Sequence, residues 1–123
     1  MNILIIGDVM GRPGRRAVRE CVPPLIHERG IDFVVANGEN LAGGVGVTLQ
    51  TMEEMFSAGV DVLTTGNHVW DKKEALQLIE HEPRLVRPAN YPPVQPGQGS
   101  VVLRARNGQK VAVWVADYVL GHY

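Results

Sequence analysis

Cys21 is the sole cysteine in a chain of 123 residues, which excludes an intrachain disulfide and any cysteine-built metal site. A lone thiol suits a reducing, cytoplasmic setting. Long apolar runs are missing as well. No stretch approaches the roughly 20 residues needed to span a bilayer. The opening "MNILIIGD" is too short, and too poor in preceding basic residues, for a signal peptide. The expected location is therefore the cytoplasm, with no membrane partner. Nor is there an excess of one charge: 12 basic side chains face 13 acidic ones, for a formal net charge of -1. That balance argues against a general nucleic-acid binder, but leaves room for a small phosphorylated substrate. No G-x-x-x-x-G-K-[ST] segment occurs, so a P-loop is excluded. Gly7, Gly11 and Gly14 follow a strand-like run, but at G-x-x-x-G-x-x-G spacing, which is a weak dinucleotide signal.

What is present is 45% apolar, enough for one core, so a single domain over residues 1–123 is expected. "NILIIG", "DFVVAN" and "DVLTTG" are short Ile/Val-rich runs that end at polar or glycine residues. Apolar runs without alternation suit strands of a parallel sheet covered on both faces. Between the first two lies a helical pattern through Ala17, Val18, Cys21, Val22, Leu25 and Ile26, which Pro23 and Pro24 should break or kink and Gly30 should end. Thr48 or Thr51 can cap a second helix closed by Gly59, with Thr51-x-x-Glu54 fitting a capping box. Asp71-x-x-Glu74 can open a third, to about Glu80. Residues 81–99, with five prolines and two glycines, read as an irregular loop. "SVVLRAR" and "KVAVWVA" flank Asn107-Gly108, a hairpin signal. The expected fold class is α/β: a parallel βαβαβα unit followed by a β-hairpin.

In an open parallel sheet, ligands bind beyond the carboxyl ends of the strands. Asp8 follows the first strand, Glu39 and Asn40 the second, Asn67 and His68 the third. The topology should therefore gather all five at one edge. Carboxylate and amide oxygens with an imidazole form a ligand set for Mn²⁺, Fe²⁺ or Zn²⁺. A shared carboxylate can link two ions about 4 Å apart, as in phosphoester hydrolysis. Asp8 would hold one ion, Glu39 would bridge, Asn40 and Asn67 would add neutral oxygens, and His68 would serve as general acid.

Each residue has a plainer role beside this one. Asp and Asn after strands are ordinary turn formers and caps, and Asn40 alone fits a turn best. Asn67 and His68 fit a turn ahead of an Asp71 cap. Glu39 suits a buried strand end least. It is the convergence of the five that carries the metal reading. Arg12, Arg15 and Arg16 fit surface charge better than a phosphate clamp, and Trp70 fits packing at least as well as base stacking. His27 and His81 read as solvated helix residues. Gly43, Gly44 and Gly46 either permit positive φ or let the backbone pass close to the site.

"IGDVMGRPGR", "NGENLAGGVGVT", "TTGNHVWDKKE" and "RLVRPANYPP" together resemble the YmdB-type branch of the calcineurin-like metallophosphoesterases, over roughly residues 1–113. The resemblance implies the N-terminal part of a layered metallophosphoesterase sandwich, with two divalent metal ions (iron or manganese, with zinc or magnesium as alternatives). It also implies hydrolysis of a small phosphodiester such as a 2′,3′-cyclic nucleotide, and it admits a homo-oligomer. Asp8, Glu39, Asn40 and Asn67 match that family's metal ligands, with Glu39 bridging, and His68 matches its proton donor. Family members are about twice as long, and their second half supplies further histidine ligands. From Trp114 the text "WVADYVLGHY" departs from the family, and His122 is not expected to replace a missing ligand. The sequence thus reads as an incomplete phosphodiesterase, weak in metal binding and in turnover. The alternatives are a non-catalytic nucleotide- or phosphate-binding remnant, or a structural α/β fragment.

Overall fold

In the computed structural model, residues 1–117 are described, so the expectation for His122 lies outside the described residues. Four parallel strands line up in the order in which they occur: β1 (Ile3–Asp8), β2 (Phe33–Asn37), β3 (Val62–Thr64) and β4 (Leu85–Val86). Helix α1 (Gly11–Arg29) joins the first pair, α2 (Leu49–Ser57) the second, and a 3-10 turn (Asn67–Asp71) with α3 (Lys73–His81) the third. Strands β5 (Ser100–Arg104) and β6 (Lys110–Trp114) form an antiparallel hairpin around Asn107-Gly108. This is the expected fold class, with β4 added inside the stretch read as loop.

Alternation along each strand sorts the apolar residues into two layers. Val34 and Ala36 of β2, Leu63 of β3 and Leu85 of β4 join a core with Val18 and Val22 of α1, Met52 and Met55 of α2, and Ala75 and Ile79 of α3. Phe33, Val62 and Val86 point the other way and meet the hairpin residues Val101, Leu103, Val111 and Val113. Helices therefore cover one face and the hairpin the other. Each fully buried large side chain contributes about 1.5–3 kcal/mol of apolar transfer energy. β1 is the exception. It lies at the sheet edge, and Ile3 and Ile5 remain 45% and 76% exposed. With Val35, Val111 and Trp114 they line an open groove of about 440 Å³. No helix among the described residues is long and apolar enough to cross a membrane.

Several local expectations need correcting. Helix α1 runs unbroken through Pro23 and Pro24. Both prolines are exposed, and the amides they lack would have bonded the carbonyls of exposed Arg19 and Glu20, which water can serve instead. Gly30 does end the helix, in the left-handed conformation at φ 59°. Thr48 caps α2, and its capping-box partner is Thr51, a hydroxyl taking the place of the expected Glu54. Beyond the end of α3 at His81, the stretch to residue 99 is irregular apart from β4, where Leu85 and Val86 have apolar surface to fill on both faces of the sheet. The rest of that segment is held by buried Arg87, which donates to the carbonyls of Pro88 and Pro96.

Candidate functional site

The carboxyl edge of the sheet is built from three loops that bond to one another. The register of β1 on β2 slips between Ile6 and Asp8, so that Ile6 faces Ala36 but Asp8 faces Asn37. The extra residue is Gly7, and a bulge at a strand end is a device for re-aiming a side chain. Beyond it, Val9 N–H donates to the Asn37 carbonyl at 3.2 Å and Gly11 N–H to the Asn40 carbonyl at 3.0 Å. The Gly38 amide donates to the Thr64 carbonyl at 2.8 Å, tying the second loop to the third.

Upon this frame the five sequence-derived residues are placed as follows. The Asn40 side-chain amide donates to Asp8 Oδ1 at 2.9 Å. The Glu39 carboxylate accepts from the Asn37 side-chain amide and from the His68 backbone N–H, both at 3.4 Å. Its position depends on Gly66. A Cβ at that residue would lie 2.5 Å from Glu39 Oε2 and 2.9 Å from Cδ, closer than real Cβ contacts occur. Gly66 thus leaves a cradle for the carboxylate. Asp8, Glu39, Asn40 and His68 are brought together. Asn67 stands next in chain to Gly66 and His68 at the start of the 3-10 turn, exposed, and its side chain bonds to none of the other four among the described residues.

His68 lies in the 3-10 turn, as its plainer role has it, but its ring is also engaged. Its Nδ1–H donates to Asp71 Oδ2 at 2.7 Å. That hydrogen bond above all raises the imidazole pKa above its ordinary 6.5; desolvation opposes it, and the negative charges of Asp71, Glu39 and Asp8 add further, individually lesser, raises. The cationic, proton-donating form therefore persists to higher pH. Because the folded-state value is the higher one, the pair's contribution to stability is complete below pH 6.5 and fades as pH rises through the raised value.

Asp71 consequently is not the cap of α3. That position is taken by Lys72 without a side-chain bond, and Glu74 instead accepts from the Leu49 amide across to α2. Asn37 was also missed by sequence reasoning. Its Oδ1 accepts from the Glu39 N–H at 3.2 Å while its amide reaches the carboxylate, and the only signal was the Asn-x-Glu spacing of an Asx turn. Trp70 packs in the core and against Tyr91, with ring centroids 6.3 Å apart. Gly43, Gly44 and Gly46 all have positive φ, of 65°, 90° and 75°.

Arg15 is not surface charge. Its side chain is 15% exposed, its Nε meets Glu54 Oε2 at 2.9 Å, and its Nη1 donates to the Leu41 carbonyl at 2.5 Å. Arg19 shares the same Glu54. Arg15 therefore ties α1 and α2 to the loop that carries Glu39 and Asn40. Arg15→Gln should cost about 1–3 kcal/mol, because a buried carbonyl and a half-buried carboxylate lose a charged donor. Urea unfolding of the two proteins measures this, and an unchanged midpoint would show that the tie carries no load.

As donors, the described residues fit a hard or borderline divalent ion, but only in part. Asp8 and Glu39 supply anionic oxygens, and Asn40, while its nitrogen is turned to Asp8, keeps Oδ1 outside that bond. No three of the His, Cys, Asp and Glu side chains among the described residues are grouped so as to hold a metal ion. Two ions would want about five or six positions each. What the edge offers is a partial shell of oxygens with a proton-carrying imidazole beside it.

Known proteins share this arrangement of chain. The family model described as "YmdB-like protein" matches residues 4–119. The 2′,3′-cyclic-nucleotide 2′-phosphodiesterase of Bacillus subtilis (strain 168) is 47% identical over 113 residues, which are 92% of this chain and 42% of that protein. A crystal structure of a hypothetical protein from Thermus thermophilus superposes with a TM-score of 0.83 at 44% identity, over 91% of this chain and 43% of the other. That of a phosphatase from Mycoplasma pneumoniae gives 0.76 at 34%, over 83% and 38%. The chain spans about two fifths of the length of the relatives it matches.

Proposed function

The chain belongs to the YmdB-like protein family, and from that membership we propose that it is the metal-binding edge of a phosphodiesterase acting on small phosphodiesters, 2′,3′-cyclic nucleotides foremost. The observation that carries the reading is the meeting of Asp8, Glu39, Asn40 and His68 at one sheet edge, with Gly66 leaving room for the Glu39 carboxylate. The name of the Bacillus subtilis relative supports the substrate class.

In this reading Asp8, Glu39, Asn40 and Asn67 would hold a pair of divalent ions, with Glu39 the shared ligand. Iron or manganese is preferred, and zinc or magnesium is the alternative. Bound metal would supply Lewis acidity and a hydroxide near neutral pH. The remaining chemistry lies in the chain's own groups. His68, with its Nδ1 engaged by Asp71, is the group that can hand a proton to a leaving alkoxide. The Asn37 amide and the His68 backbone N–H hold Glu39 in place from two sides. A reducing cytoplasm suits the exposed Cys21 thiol, and a homo-oligomer is compatible with the open apolar groove beside β1.

Because the oxygen shell of the described residues is partial, metal binding and turnover are expected to be weak in this chain. Metal dependence is therefore the discriminating readout. Hydrolysis of 2′,3′-cyclic AMP and of bis(p-nitrophenyl) phosphate should appear with Mn²⁺ or Fe²⁺ and vanish with a chelator. A chain that binds nucleotide but hydrolyses neither ester with any of the four metals would be the non-catalytic remnant instead.

A further inference from the structure

We propose that Asp71 is the positioning residue of His68, fixing the imidazole as its Nδ1–H tautomer and so leaving Nε2 as the nitrogen that exchanges a proton at the site. The inference rests on the phosphodiesterase reading for its use, but on geometry for its existence. In a 3-10 turn, side chains three residues apart eclipse one another. His68 and Asp71 stand at that spacing in the turn Asn67–Asp71, and the Nδ1–Oδ2 distance is 2.7 Å. A carboxylate only accepts, so Nδ1 must be the donor.

The turn that presents the pair is anchored. Val69 is fully buried and its N–H donates to the Gly66 carbonyl at 3.1 Å, while the neighbouring Trp70 packs on the core. His68 and Asp71 stay 45% and 41% exposed, so the pair is not serving the core. The His68 backbone N–H, meanwhile, is engaged by Glu39. Backbone and Nδ1 are thus both committed, and among the described residues nothing bonds to Nε2. Which ring nitrogen carries the proton is set by the bond that the other makes. Removing Asp71 should release the ring to the ordinary preference of neutral histidine, in which Nε2 holds the proton.

The test is ¹⁵N NMR of the histidine-labelled, metal-free chain at a pH where His68 is neutral, with His68→Gln used to assign its signals. Wild type should show Nδ1 protonated and Nε2 bare. Asp71→Ala and Asp71→Asn should both move the proton to Nε2, with the amide spectrum otherwise unchanged. In the Mn²⁺-loaded chain both variants should lower kcat about 10- to 100-fold with KM little altered. Asparagine is the informative variant, because its amide keeps the size and a hydrogen bond but offers a donor as readily as an acceptor. A merely structural Asp71 would be rescued by it, and wild-type kcat in Asp71→Asn overturns the proposal. So does an Nε2–H tautomer in the wild type. Nδ1–H fixed in a wild type that hydrolyses no phosphodiester with any metal would support the pairing and count against the phosphodiesterase reading.

Discussion

Glu39→Gln is expected to lower metal-dependent phosphodiester hydrolysis by about a hundredfold or more, because a shared anionic oxygen is what holds charge at such a centre. The fold should not notice. Glu39 is only half-buried, and its carboxylate contacts are two hydrogen bonds at 3.4 Å, one of which the glutamine oxygen can keep. Its backbone N–H still has Asn37 Oδ1 as partner. Stability should stay within about 0.5 kcal/mol of wild type. Urea unfolding and a steady-state assay with bis(p-nitrophenyl) phosphate read the two quantities separately. If the variant retained full metal-dependent turnover, Glu39 would be the turn residue that its plainer reading makes it.

Gly66→Ala should reach nearly the same loss by a different route, and it is the sharper experiment because it leaves every proposed ligand in place. The backbone at Gly66 is extended, φ -143° and ψ -152°, which alanine adopts without strain. Only the Cβ is new, and it would occupy the space of the Glu39 carboxylate, 2.5 Å from Oε2 and 2.9 Å from Oε1. That carboxylate is the far end of a flexible side chain, so it can swing aside for a rotamer cost of about 1 kcal/mol. The energetic effect is small, but restoring an ordinary contact from 2.5 Å moves a group whose position matters by on the order of 1 Å. A misplacement of that size costs about 10²-fold in rate. Because both substitutions act through the same carboxylate, the double variant Gly66→Ala, Glu39→Gln should be no worse than the poorer single one. Losses that multiply would show that Gly66 acts elsewhere.

How much of this could be read from the chain depended on the range of the interaction. The strands were legible because "NILIIG" and "DFVVAN" carry their apolar character locally, and the hairpin because Asn-Gly fixes its own turn. That Asp8, Glu39, Asn40, Asn67 and His68 fall at one end of a parallel sheet followed from topology alone. The partners of those residues were not legible. Asp71 has the composition of a helix cap, and only the 3-10 geometry of residues 67–71 turns it onto His68. Arg15 looked like surface charge because nothing in sequence announces the Leu41 carbonyl or Glu54, the latter 39 residues away. Pro23 and Pro24 suggested a break because the rule considers lost hydrogen bonds, and not whether the orphaned carbonyls face water. β4, two residues long, has too little text to show a period; its strand character comes from the slot beside β3.

If Asp8 and Glu39 are metal-holding carboxylates, the most direct measurement is a Mn²⁺ titration followed by the loss of the free-ion EPR signal. Wild-type chain should take up Mn²⁺ weakly but saturably. Glu39→Gln and Asp8→Asn should each weaken that uptake by about 10- to 100-fold, in step with hydrolysis. Mn²⁺ binding that is absent from the wild type, or that is unchanged when both carboxylates are neutralised, would contradict it.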